Sequence, residues 1–408
     1  MLGLWLLDEG EMEAGRIFMP SRALEAVRWS ALKFFRFFVY KTTRRGMVMA
    51  MVRIDEAPKP TVNSDRKVGL ELEIDVGYNN TREGVEHDIQ GWTRKHDGSL
   101  DNGWEFVFDG PVLIRTALER IERFCSVIRD VNVHQSGGFH VHVQGDNYSR
   151  EDCFSLAKLY RSFQGVINKL VGPSRVNNEY CRPYEDSEFV SIDRFIDRYQ
   201  LGMVTRNRDH AKDITSRYHV INMNMMTVEN PIQRSLEFRQ GSVSKRVAVI
   251  FGWMSFVTAL TEAAKDHEAV NNIFHLRHRQ LNLECVLDFF RAYEARSGSE
   301  KVADWIKWRY DYLNQEPTDE VLSKAEAAIC ADHLGLFGLS RVLDANLPFC
   351  RRVIEKLVDS GRIIKRPGKA FYVSAEGYGA QAKSDLDKMV AALKAQRATR
   401  EVAVEQTN

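Results

Sequence analysis

Val68-Gly69-Leu70-Glu71-Leu72-Glu73-Ile74-Asp75 is the stretch that decides the fold of this chain. Val68, Leu70, Leu72 and Ile74 alternate with a set that is mostly acidic, a period of two that predicts a β-strand with one apolar and one polar face. Glu71 and Glu73 then project on the same side. Carboxylates so placed repel one another, and their common face is favourable mainly where a cation offsets them. The plainer alternative is a half-exposed strand whose acidic face is solvated.

Two later segments repeat the device: His140-Val141-His142, just after Gly137-Gly138, and Glu237-Phe238-Arg239. In each, two chemically strong side chains share a strand face across one apolar residue. Paired glycines before the histidines let backbone or a ligand come close. Three such strands in one sheet would form a polar floor of three carboxylates, two imidazoles and a guanidinium, a set suited to divalent metal and phosphate. The HExxH and CxxC patterns that would favour zinc do not occur, and neither does a P-loop GxxxxGK[ST] run.

Working outward, Lys95-His96-Asp97-Gly98 reads as a turn, and Trp104-Glu105-Phe106-Val107-Phe108 as a short strand. Glu105 is a lone carboxylate in an apolar strand, needs a partner, and is a candidate fourth carboxylate of the floor. Asp97 is either an ordinary turn residue or a neighbour of the site. The polar run Arg175 to Tyr184 has the composition of a loop at a substrate entrance, with Arg175, Tyr180 and Arg182 as candidate contacts. Tyr218 to Met226 reads as a strand with Asn222 and Asn224 on one face, as floor residues or as cross-strand hydrogen bonders. Apolar stripes at helical spacing predict helices over Ile114 to Asp130 and Arg150 to Val171, and Val247 to Ala264 reads as a long apolar helix.

Length and composition bound these readings. The chain has 408 residues, 44% of them hydrophobic, enough for two domains with a full core. A formal charge of +1 gives no global attraction to nucleic acid or membrane. The six cysteines are scattered without a CxxC pair, as expected of buried thiols in a reducing, cytoplasmic setting. In the first fifty residues, Ala31, Phe34, Phe35, Phe38 and Val39 form a helical stripe interrupted by basic residues. The run is too short and too charged for a membrane span and lacks a signal-peptide cleavage site. A packed or dispensable extension is expected, with an interfacial membrane helix as the alternative. Met47, Met49 and Met51 leave open a later translation start.

The order of these motifs resembles the amidoligase family, whose relatives include glutamine synthetase and glutamate-cysteine ligase. The resemblance rests on Glu71-Leu72-Glu73, the Trp92 and Asp97-Gly98-Ser99 turn, and the Glu105 strand ending in Gly110-Pro111. Gly137-Gly138-Phe139-His140-Val141-His142-Val143, the Arg175 to Tyr180 loop, the Tyr218 strand and Leu236-Glu237-Phe238-Arg239-Gln240-Gly241-Ser242 complete it. It covers about Lys67 to Ala264. It implies an α+β fold with a glutamine synthetase-like antiparallel sheet flanked by helices. The implied metal ligands are Glu71, Glu73, Glu105, His140 and Glu237. His142 and Arg239 would lie on the nucleotide side, and Arg239 and Glu105 would be catalytic. The implied cofactors are ATP and Mg2+, with Mn2+ as an alternative, and the implied partners are small-molecule or peptide carboxylates and amines. The implied reaction is ATP-dependent joining of the two through an acyl phosphate. Phe108-Asp109-Gly110-Pro111 departs from the family's more usual Val-Ser-Pro, and this bears on the alignment of Glu105.

The remainder reads as a different module. Phe274 to Asn314 is helical, Val321 to Leu334, Leu339 to Ala345 and Pro348 to Ser360 read as three helices, and Gly361 suits a helix stop. Arg362 to Val373 reads as a hairpin, and the whole resembles a winged helix-turn-helix. Between Arg341 and Val373 stand eight basic and three acidic residues. Arg351, Arg352, Lys365, Arg366 and Lys369 are therefore candidate nucleic-acid contacts, with a protein partner as the competing use. The expected organisation is an extension over 1–64, a catalytic domain over 65–265, a helical connector over 266–318, a winged-helix-like domain over 319–376 and a tail over 377–408. The alternative to an enzyme is a non-catalytic nucleotide or ligand sensor that controls DNA binding through the C-terminal module.

Overall fold

The computed structural model describes residues 54–75, 88–97, 100, 102–128, 137–176, 178–189, 218–228, 230–276, 281–332, 334–343, 347–365 and 372–374. The expectations for the first fifty residues and for the 377–408 tail, together with Arg366 and Lys369, lie outside these.

The alternating stretch forms strand β1 (Lys67–Asp75) at the middle of a seven-stranded sheet. The other strands are β2 (Trp92–Lys95), β3 (Gly103–Phe108), β4 (Val112–Leu113), β5 (Gly138–Gln144), β6 (Ile221–Asn222) and β7 (Ser235–Ser242). The order is β2-β3-β1-β5-β7-β6, with β4 also paired to β1, and every pairing is antiparallel. The three motif strands β1, β5 and β7 are thus adjacent. Register completes the floor: Glu71 lies opposite His140, His142 opposite Glu237, and Glu73 opposite Glu105. A slip of one residue in any strand would turn its polar set into the core.

The apolar face carries Val68, Leu70, Leu72, Ile74, Phe106, Phe108, Phe139, Val141, Val143, Leu236 and Phe238, all buried. Helices cover it: α1 (Ile114–Val127), α2 (Arg150–Leu170) and α3 (Val247–Ala263). Helix α2 begins at a capping box in which the Ser149 side chain accepts from the Asp152 N–H and the Asp152 side chain accepts from the Ser149 N–H. Helix α3 is apolar nearly all round because it is buried nearly all round. Among the described residues no single helix is long and apolar enough to cross a membrane.

Helices α4 (His267–Leu276), α5 (Leu283–Ser297) and α6 (Val302–Asn314) follow. Read from sequence as a connector, they put Val270, Phe290, Trp305 and Ile306 into the same core as the sheet. Trp305 sits against Gly252 of α3, where an added Cβ would lie 1.9 Å from the indole nitrogen.

A second, smaller core lies between α7 (Asp319–Asp332), α8 (Leu336–Leu343) and α9 (Leu347–Asp359), built on Ala325, Ile329, Leu339, Phe349, Val353 and Leu357. Gly361 follows α9 with a φ of 70°, the left-handed conformation that suits glycine at a helix stop. Strands β8 (Ile363–Lys365) and β9 (Tyr372–Ser374) then pair antiparallel. Three helices and a two-stranded ribbon therefore occur in the expected order.

One element differs from its sequence reading. The strand expected over Tyr218 to Met226 is a ladder at Ile221–Asn222 only, and Asn224–Thr227 is a 3-10 turn. The Asn222 side-chain oxygen accepts from the Asn224 N–H at 3.0 Å, a local bond that competes with strand pairing.

Candidate metal and phosphate site

On the polar face, three side chains from three adjacent strands converge. Glu71, His140 and Glu237 each offer one ligand atom, and these lie within 4.8 Å of one another. His140 Nδ1 is 3.2 Å from Glu71 Oε2 and 3.4 Å from Glu237 Oε1, while its Nε2 is 3.6 Å from Glu73 Oε1. His140 is only 4% exposed, so its ring orientation is set by packing. Two carboxylates and an imidazole form a mostly oxygen donor set suited to a hard divalent cation.

The electrostatics hold the two carboxylates of the trio in their charged form. Burial opposes ionisation of Glu71, but the imidazoles of His140 and His142 outweigh it and keep the carboxyl far below its usual range. Burial likewise opposes ionisation of Glu237, and Arg239, His140 and His142 overcome it. His142 is pushed the other way: burial disfavours its charge, yet Glu71 and Glu237 raise its pKa. His142 Nε2 lies 3.2 Å from Glu71 Oε1.

Glu237 is the hub. Besides His140, it accepts from Asn222 Nδ2 at 2.6 Å and is ion-paired with Arg239. Asn222 thus reaches the floor by acting as a cross-strand hydrogen bonder to Glu237, which unites the two roles read for it. Arg239, 8% exposed, also donates from Nε to the Tyr180 carbonyl at 3.0 Å. The Tyr180 contribution is therefore its backbone, while its ring stays partly exposed.

Glu73 and Glu105 stand beside the trio but outside it. Glu73 accepts from the Gly138 N–H at 2.9 Å. Glu105 has its pKa raised by burial and by the charges of Glu71 and Asp97, which brings Asp97 into the field of the floor. The departure at Asp109 is local: its carboxylate accepts from Thr93 Oγ1 at 2.6 Å in the β2–β3 ribbon.

One loop candidate lies elsewhere than at an entrance. Arg175 is buried, 4% exposed, with its guanidinium against Gly138. Arg182 forms an isolated bridge with His219, whose ring stacks on Tyr184 with centroids 4.8 Å apart. Sequence reading missed Gln240. It lies buried on the helix side of β7, accepting from Tyr160 Oη at 2.8 Å and donating to Asn168 Oδ1 at 2.8 Å and the Arg175 carbonyl at 3.2 Å. An amide on the apolar face of a central strand was the available signal.

In the C-terminal unit, Arg351 and Lys365 are exposed. Arg352 is engaged with the protein: it donates to the carbonyls of Leu313 at 2.7 Å and Gln315 at 2.9 Å, at the end of α6, and Lys356 pairs with Glu316 at 2.8 Å. These contacts dock α9 on the larger body.

An antiparallel sheet with helices on one face and a carboxylate, histidine and arginine cluster on the other defines an α+β protein. Residues 94–261 match the model of the family described as "Putative amidoligase enzyme", a match that speaks for a ligase. The matched range contains Glu105, His140, His142, Glu237 and Arg239, while Glu71 and Glu73 precede it. No curated protein matches the chain.

Proposed function

We propose that this chain is an ATP- and divalent-metal-dependent ligase that joins a carboxylate to an amine. The observation that carries the reading is the convergence of Glu71, His140 and Glu237 with Arg239, itself ion-paired to Glu237. Glu71, His140 and Glu237 would hold the cation, with Glu73 and Glu105 alongside. A bound Mg2+ would neutralise the triphosphate and orient its γ-phosphoryl group.

A carboxylate is a poor electrophile at neutral pH and needs activation. Its oxygen attacks the γ-phosphorus, the bond to ADP breaks, and an acyl phosphate forms. The amine nitrogen then attacks the acyl carbon, phosphate leaves, and the nitrogen loses a proton. Arg239 is held by Glu237 and the Tyr180 carbonyl, and so presents fixed positive charge to the transferred phosphoryl group and the tetrahedral intermediate. Glu105, with its pKa raised, suits the proton acceptor.

The test supplies Mg-ATP with a mixed library of amines and carboxylates, follows release of ADP and phosphate, and identifies products by mass spectrometry. Release should require both co-substrates. Glu73→Gln and Arg239→Ala should lower it by about 100-fold or more with circular dichroism unchanged. Failure of the wild type to bind Mg-ATP would sink the reading.

A further inference from the structure

Beside the floor lies a cation that the proposed chemistry does not yet use. Arg175 follows α2 in a short 3-10 turn, Pro173–Arg175, and that turn is fastened from several directions. The Gly172 N–H donates to Ser242 Oγ at 2.6 Å, and the Arg175 carbonyl accepts from Gln240 Nε2. Just upstream, the Leu170 carbonyl accepts from the buried Arg309 Nε at 3.0 Å. Such anchoring fixes the turn independently of any ligand.

The guanidinium touches both ends of the floor. Its Nη2 donates to the backbone carbonyl of Arg239, and it lies flat enough on Gly138 that a Cβ there would come within 2.8 Å of Cζ. Gly138 in turn donates its N–H to Glu73. Arg175 Nε is buried with no hydrogen-bond partner, a cost accepted for a geometry that serves something else.

We propose that Arg175 is a positioning residue: it ties the backbone of Arg239 to Gly138 and thereby sets the separation between the Arg239 guanidinium and the Glu73 carboxylate. The inference rests on the ligase reading for its kinetic consequence but not for its structural one. Gly138 is small because a guanidinium occupies the space a side chain would take. Arg175→Lys removes the planar fork while keeping the charge. Gly138→Ala keeps Arg175 and pushes its guanidinium away.

Two readouts test this. The first is the Arg239 Nε–H resonance, assigned by its loss in Arg239→Lys. In the wild type it should exchange slowly with solvent, because it donates to the Tyr180 carbonyl, and both variants should abolish that protection. The second is turnover: kcat should fall by about 100-fold with KM for Mg-ATP unchanged. Protection present in the wild type and lost in both variants, with no turnover by the wild type, would uphold the positioning role and defeat the ligase reading. Retained protection in both variants would overturn the inference, as would unfolding of both, which would mark the role as purely structural. A fall confined to KM would also overturn it, by making Arg175 a binding group.

Discussion

Glu237 concentrates more of the site than any neighbour. It is buried yet ionised, because Arg239, His140 and Asn222 surround it with one full charge, an imidazole and an amide donor. Glu237→Gln is expected to weaken Mn2+ binding, followed by paramagnetic resonance, at least about tenfold. Leaving Arg239 without its carboxylate partner should also destabilise the fold measurably in urea. Undiminished Mn2+ affinity in that variant would remove the trio as the metal site. At this scale the residue identities were legible: pairs at i and i+2 named Glu71, Glu73, His140, His142, Glu237 and Arg239 as co-facial. Gln240 and the placement of Arg175 were not, because their roles come from what lies across the sheet.

Elements carry their own signals, and α2 shows how local they are. Ser149 and Asp152 cap its start, and Asp152 Oδ1 also meets His267 Nε2 at 2.8 Å, pinning the start of α4. Burial opposes ionisation of Asp152, but hydrogen bonds from Ser149 and His267 prevail and lower its pKa. A depressed carboxyl pKa stabilises the fold above the unfolded value, about 3.9, and that contribution is lost as pH falls through the lower folded value. The gap in urea midpoint between wild type and Asp152→Asn should therefore be open at pH 7 and narrow as the pH falls below the unfolded value. A gap that stays constant with pH would show that Asp152 acts without its charge. By contrast, the expected Tyr218 to Met226 strand stops after Asn222, where a side-chain bond to Asn224 outcompetes alternation. Period alone cannot register that competition.

Across the whole molecule, helices that looked like a connector prove to be core. Trp305 of α6 packs on Gly252 of α3 and donates to the Ala248 carbonyl at 3.0 Å. Gly252→Ala should drive these helices apart and cost at least about 1–3 kcal/mol in thermal or urea unfolding. A neutral effect would mean that α6 is only loosely seated. The α9 contacts to α6 belong to the same scale, since Arg352, a basic residue read as a candidate nucleic-acid contact, spends its donors on the Leu313 and Gln315 carbonyls.

Strands β1, β3, β5 and β7 and their faces were determined by the sequence itself, because alternation is a property of neighbouring residues and burial acts on each strand separately. So were the helices over 114–127, 150–170 and 247–263, to within a few residues. Which strands lie side by side, and in which register, was decided only by the tertiary structure. Pairing joins Glu71 to His140 across 69 positions and His142 to Glu237 across 95, and no local pattern encodes such separations. The same long-range packing buried Arg175 against the Arg239 carbonyl, where a glycine made room for it.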